Sequence, residues 1–552
     1  VGVNLIGKPR KGVGPQDVAL AIIGATFKNG FVKNKVMEFF GSGVKNLPIE
    51  FRNGIDVMTT ETTCLSSVWI TDDKVQDYLE NHNRREEYKE LKHNGVVCFD
   101  GLITVDLDKV EPMIALPFHP SNTYTIRELL ENPYEILSKC QEEGRKLLKN
   151  DNFTLTDKII DGKIKVDQAI IAGCAGGTYD NLMEASAILQ GKSIGDKLSM
   201  SIYPGSQPIY IDLVKKGAVA DFLRAGVNVK TAFCGPCFGA GDVPSNNSFS
   251  IRHTTRNFES REGSKPAEGQ LASVALMDAR SIAATAANGG YLTSAMDIEY
   301  NYEHKPFEFD DTIYKNRILN KFNQAEPELE LQYGPNIADW PKLPSLKQNL
   351  MMEVCAVIND PVTTTDELIP SGETSSYRSN PLRLAEFTLS RKCSDYVERA
   401  KKVNKEAKKE QLEGRYKEVA DKLGVKGEIE LGSVIYATKP GDGSAREQAA
   451  SCQRVLGGVA NLAKEYATKR YRSNLINWGM LPFIYNNEIQ LEVNDIIVIK
   501  DVINVLSEYK TKAFVVRGQD VFEITLTLDA LTDDEKEIIK AGCLINRNKS
   551  LR

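Results

Sequence analysis

The stretch VDQAIIAGCAGGTYDNLMEASAILQG, residues 166–191, decides the fold. Its first eight residues, VDQAIIAG, read as a strand, Cys174 opens a glycine loop, and the segment from Asn181 to Gly191 carries helical spacing. The alternation continues outward: LSMSIYP reads as a strand, DLVKKGAVADFLRAG as a helix and VNVKTAF as the next strand. Repeated βα units with buried strands predict a largely parallel sheet covered by helices. Cys174 then sits at the carboxyl edge of that sheet, where α/β folds place their ligands.

TAFCGPCFGAGDVPSN, residues 231–246, ends a later strand of the same sheet with Cys234 and Cys237, so three thiols can converge. A Cys-x-x-Cys pair alone is open to three readings: a redox pair, half of a zinc site, or two ordinary thiols. Structural zinc wants a fourth Cys or His, and the one histidine nearby, His253, has no partner at ligand spacing. Three cysteines without a fourth suit an iron–sulfur cluster with one iron open to substrate, where it acts as a Lewis acid. The other cysteines, Cys64, Cys98, Cys140, Cys355, Cys393, Cys452 and Cys543, are scattered and read as buried small hydrophobes. His119, in ALPFHPSN, reads as a packed loop histidine.

Bulk composition bounds the partners. The hydrophobic fraction of 41% and charged fraction of 26% exclude disordered and membrane classes. A net charge of −6 without a block of one sign argues against nucleic acid and membrane surfaces and leaves small molecules as the expected partners. Ten cysteines in 552 residues are too sparse for a disulfide scaffold. The opening VGVNLIGKPRKGVG lacks the apolar core of a signal peptide, so a cytoplasmic chain is expected, and Val1 inside a strand-like segment suggests processing or truncation.

The length allows three or four domains, since single cores seldom exceed about 250 residues. The expected division is an α/β domain over 1–135, a second α/β domain carrying the cysteines over 136–300, a proline-rich linker over 301–350 and a last domain over 351–552. Within these, 73–91, 266–288 and the charged stretch 396–423 read as helices, the last a surface helix with one buried stripe.

IIAGCAGGTYDNLMEASAIL and CGPCFGAGD resemble the cluster-cysteine segments of the aconitase and isopropylmalate isomerase superfamily. TTRNFESREGSKPAEGQLASVALMDARSIAATAANG is similar to that family's arginine segment and following helix. TTTDELIPSGETSSYRSN and GDGSAREQAA are similar to the two active-site motifs of its swivelling C-terminal domain. The resemblance implies a multi-domain α/β fold with parallel-sheet domains around a 4Fe-4S cluster, one iron of which has no cysteine ligand. It also implies a hydro-lyase acting on a hydroxylated di- or tricarboxylic acid, as in aconitate hydratase, with isomerisation a possible outcome of the turnover.

Carried over residue by residue, Cys174, Cys234 and Cys237 are the implied cluster ligands. Arg256, Arg261, Arg378 and Arg446 match arginines that grip substrate carboxylates, Ser444 the serine that removes a carbon-bound proton, and Glu61, in VMTTETTCLSSVW, an active-site glutamate. The chemistry suits these types: guanidinium forks pair with carboxylates in a way lysine does not reproduce. Ser444 stands between a strand and a helix beside Arg446, where backbone N–H groups and a positive charge favour an alkoxide. Without the motifs, Arg261 and Arg378 would read as surface residues, Glu61 as a solvated or capping carboxylate, and the Ser444 loop as an anion-binding turn.

Departures from the family pattern are specific. The family's usual first domain, which supplies His and Asp residues to the site, has no counterpart before VGVNLIGKPRKGVG, which leaves either a fragment or a second chain to complete the site. Val57 and Thr255 stand where aconitases have asparagines, and Ala445 replaces a second serine. Groups that hydrogen-bond a cluster tune it, so these changes put citrate in doubt as substrate. Two other readings stay open: a cluster-carrying regulatory or RNA-binding protein of the same fold, and a zinc or redox protein using Cys234 and Cys237 with Cys174 dispensable.

Overall fold

Every residue of the strand Gln168–Ala172 is buried, which is why it lies inside a sheet and not at its rim. A computed structural model describes residues 1–238, 240–259, 269–370, 372 and 374–551. The chain divides into two compact units, Val1–Glu326 and Pro327–Arg552.

In the first unit Gln168–Ala172 is the third of seven strands, in the order Asn228–Val229, Ser199–Tyr203, Gln168–Ala172, Phe249–His253, Ser273–Met277, Met113–Ala115 and Thr123–Thr125. The first five run parallel, and the last two are antiparallel additions. Fully burying Ile170 and Ile171 is worth roughly 1.5–3 kcal/mol each. Helix Tyr179–Leu189 turns Leu182, Ala185 and Ile188 into the same core as Ile282, Ala283 and Ala286 of helix Ala279–Ala287. A separate parallel sheet of four strands, in the order Ser66–Trp69, Val36–Phe40, Gly2–Ile6 and Leu102–Asp106, carries its own core.

Several expected helices are shorter or divided. Residues 212–226 belong to two helices, Gln207–Lys215 and Ala218–Ala225, because Gly217 takes φ +84° between them. Of the helix expected over 266–288, Ser273–Met277 is a fully buried strand, and the helix starts only at Ala279, where the Asp278 carboxylate accepts from the Arg280 N–H at 3.0 Å. Pro266, its expected start, lies outside the described residues. Of 73–91 only Asp73–Asn81 is α-helical, and Cys98 is exposed because the strand of its segment begins only at Leu102.

The second unit is built on a closed barrel in the order Asn349–Ile358, Ile429–Ala437, Gly458–Ala463, Leu481–Ile484, Asp520–Thr527, Lys510–Arg517 and Ile496–Ile499. The first four strands are parallel, with helices in the connections. Residues 396–423 form two helices, Tyr396–Ala407 and Gly414–Leu423. The apolar spacing slips between Ala407 and Leu412, and Lys409 pairs with Glu406 and Glu413 across that turn. Among the described residues no helix is long and apolar enough to cross a membrane.

Candidate active site

Strand Gln168–Ala172 leaves the sheet through Gly173, at φ +71°, and turns at once into the single helical turn Gly173–Gly176 that carries Cys174. Gly176 is required by space: a Cβ there would lie 2.3 Å from the His253 carbonyl oxygen of the neighbouring strand. Asn228–Val229 leads to Cys234 and the turn Gly235–Phe238, closed by the Cys237 N–H donating to the Cys234 carbonyl at 3.2 Å. Strand Phe249–His253 leads to Thr254, Thr255 and Arg256. All three segments leave the sheet at its carboxyl edge, as its parallel order requires.

These residues interact. Thr255 Oγ1 lies 2.9 Å from Cys237 Sγ, and Arg256 Nε lies 3.0 Å from Glu61 Oε1, which arrives on the 3-10 turn Thr59–Thr62. The thiols shift one another. A hydrogen bond from Cys234 holds buried Cys237 well below the ordinary thiol range against the cost of its burial, with help from Arg256 and Thr255. Cys234 is pushed up by the same hydrogen bond, so the pair shares one proton and titrates together. Cys174 is raised by burial and by Cys237, with Arg256 opposing. Burial disfavours the Arg256 charge, but Glu61 and Cys237 raise its pKa above the ordinary guanidinium value.

The structure thus brings Cys174, Cys234, Cys237, Arg256 and Glu61 into one place. Val57 caps the helix Ile49–Asp56 just before the Glu61 turn. Arg261 lies outside the described residues. Among the described residues no three His, Cys, Asp or Glu side chains close around one point tightly enough for a single metal ion. An iron–sulfur cluster makes a different demand, because each thiolate binds a different iron. Three thiols that sense one another's charge, one of them held toward thiolate beside a permanent cation, fit such a donor set.

In the second unit the strands Thr363–Thr364 and Pro440–Asp442 pair in parallel and hold the two other motifs side by side. Gly443, at φ +118°, leads to half-buried Ser444, and the helix Arg446–Val455 starts directly after it with Ala445 as cap. The Ala445 N–H donates to Thr365 Oγ1 at 3.2 Å, and the Arg446 guanidinium donates to the Gly443 carbonyl, which fixes the turn. Arg378 ends the 3-10 turn Ser375–Tyr377 and is exposed.

Sequence reasoning passed over Arg252 and weighed His253 only as a zinc ligand. Arg252 is fully buried and donates from Nη1 to the Pro236 carbonyl inside the cysteine loop. His253 is fully buried, accepts at Nδ1 from the Ala279 N–H at 2.9 Å, and is kept neutral by burial, with its pKa lowered to about 4. The available signal was an arginine next to a histidine at the end of the strand FSIRH. His119 packs against Phe27 and Phe258 with Nδ1 2.8 Å from Ser121 Oγ.

Comparison with known proteins adds the family. The aconitase family (aconitate hydratase) profile matches residues 1–284, and the aconitase C-terminal domain profile matches residues 391–488. The 3-isopropylmalate dehydratase large subunit of Clostridioides difficile is 30% identical over 279 residues, 50% of this chain and 58% of that protein. The protein of the same name from Caldanaerobacter subterraneus is 30% identical over 296 residues, 53% of this chain and 61% of its own. The chain therefore spans about three fifths of the length of these relatives. A crystal structure of 3-isopropylmalate dehydratase from Methanocaldococcus jannaschii is similar at 22% identity and a TM-score of 0.25, covering 37% of this chain and 95% of that one. With a profile match over more than half of its length, the chain belongs to the aconitase family.

Proposed function

We propose that the chain is the cluster-bearing part of a hydro-lyase that reversibly dehydrates a hydroxylated di- or tricarboxylic acid. One observation supports this most directly: Cys237 is a buried thiol held toward thiolate by Cys234, Arg256 and Thr255, within electrostatic reach of Cys174. Cys174, Cys234 and Cys237 would hold a 4Fe-4S cluster. When bound, the iron without a cysteine supplies a Lewis acid for departure of hydroxide. Arg256 is kept charged by Glu61 and presents a permanent cation to an incoming carboxylate.

Ser444 is the proposed base. The N–H groups that open the helix Arg446–Val455 and the Arg446 charge favour its alkoxide form. Arg378, Arg446 and Arg261 are the proposed grips for the substrate's carboxylates. The relatives' name refers to 3-isopropylmalate, a hydroxylated dicarboxylate, and their designation as large subunits supports a second chain in the complete enzyme.

The test is anaerobic reconstitution with iron and sulfide, followed by hydroxy-dicarboxylates and hydroxy-tricarboxylates with and without a candidate small subunit. Growth of the ultraviolet absorbance of the conjugated double bond, abolished by Ser444→Ala, is the expected result. A cluster-loaded protein that turns over no such acid under either condition would exclude the hydro-lyase reading.

A further inference from the structure

Arg252 heads the large side chains that are fully buried in the protein, and it lies in the strand leading to Arg256. Four of its donor contacts are defined. Nε donates to Ser250 Oγ at 2.9 Å and Nη1 to the Pro236 carbonyl at 2.9 Å. Nη2 donates to Gln168 Oε1 at 2.8 Å and to the Asp242 carbonyl at 3.1 Å. Pro236 lies between Cys234 and Cys237, and Asp242 lies five residues beyond Cys237. Gln168 joins in, since its Nε2 donates to the same Asp242 carbonyl at 2.9 Å while its Oε1 accepts from Ser250 Oγ at 2.8 Å.

The guanidinium therefore ties the middle of the cysteine turn and the end of its loop to two adjacent strands. Burying a cation costs several kcal/mol unless hydrogen bonds satisfy it, and a leucine would fill the same core without that cost. The fork geometry explains the choice of residue: it reaches two backbone carbonyls and two side chains at once, which the single ammonium of lysine does not. A second tether holds the same end of the loop through the Asp242 side chain, which accepts from Lys230 Nζ at 2.6 Å and from the Tyr203 hydroxyl at 2.5 Å.

We infer that Arg252 is a positioning residue that clamps the loop presenting Cys234 and Cys237, so that the two sulfurs are set before any metal arrives. This deepens the proposed function and rests on it for the purpose of the clamp. Cys174 stands on a different turn that Arg252 does not touch in these contacts, so it serves as an internal reference.

The experiment measures alkylation of each cysteine by iodoacetamide in the cluster-free full chain, read by mass spectrometry, for wild type, Arg252→Met and Arg252→Lys. Losing charged hydrogen bonds to the loop is expected to raise the Cys237 rate about tenfold or more in Arg252→Met, with Arg252→Lys in between. Cys174 and the buried core thiols Cys140 and Cys355 are expected to stay at wild-type rates. Unchanged Cys237 rates in both variants would overturn the clamp. If Arg252→Met exposes Cys140 and Cys355 as well, it has unfolded, and Arg252→Lys decides: a selective rise at Cys237 supports the clamp and a wild-type rate overturns it. Iron and sulfide bound on reconstitution separate the two ideas. Selective alkylation in a protein that binds neither keeps the clamp and removes the cluster, whereas full loading of the variants with unchanged rates removes the clamp alone.

Discussion

The Arg256 guanidinium stands 3.0 Å from the Glu61 carboxylate, and the pair joins the two sheets of the first unit at the edge where the cysteines emerge. Glu61 leaves only 6% of its side chain exposed and Arg256 20%, so neither charge is surrendered to water. A half-enclosed pair of this kind is stronger than a surface salt bridge, and removing one partner leaves the other uncompensated.

Replacing Arg256 by Gln is therefore expected to release Cys237. Cys237 is held down first by Cys234 and then by Arg256, so losing the cation should move the midpoint of its alkylation pH profile upward. Iodoacetamide rates at a series of pH values on the cluster-free protein measure it. An unmoved midpoint would show that Cys234 and Thr255 suffice.

Adding one methyl at Gly176 should damage the site more than its size suggests. The Cβ of Gly176→Ala would meet the His253 carbonyl oxygen at 2.3 Å and its buried side chain at 2.9 Å, which leaves little room to yield. Overpacking of this kind costs about 1–3 kcal/mol. The expected outcome is an earlier thermal transition together with reduced iron uptake, because the same turn carries Cys174. Wild-type values for both would contradict the close fit.

His253 gives the stability a pH dependence of known sign. Burial lowers its folded pKa to about 4, below the ordinary value near 6.5, so the unfolded chain binds the extra proton between those limits. Its contribution is complete above pH 6.5 and is lost as the pH falls toward 4, amounting to about 3 kcal/mol. Urea unfolding of wild type and His253→Asn at pH 7, 5.5 and 4.5 tests it. The gap between the two proteins should narrow on acidification. A constant gap would assign the acid sensitivity elsewhere.

The parallel sheet and the edge that carries the cysteines were legible because 169–172 is apolar without alternation and is followed by a glycine loop and a helix pattern. Boundaries were legible only where a residue enforces them locally. Gly217 divides a helix that composition alone reads as continuous, and Asp278 caps one that starts thirteen residues later than proline chemistry placed it. Arg252 escaped because its role comes from strand pairing: Gln168, Pro236 and Asp242 are spread along the sequence and meet Arg252 only in the folded sheet. Thr255 was noticed as a departure, yet its 2.9 Å approach to Cys237 required the fold.

The most direct test of the account is the iron and acid-labile sulfide content of the full chain after anaerobic reconstitution, beside Cys174→Ser. The account predicts four of each per chain, as a 4Fe-4S cluster contains, and a collapse of both in the variant. Zinc without sulfide, or iron and sulfide that persist when Cys174 is replaced, would contradict it.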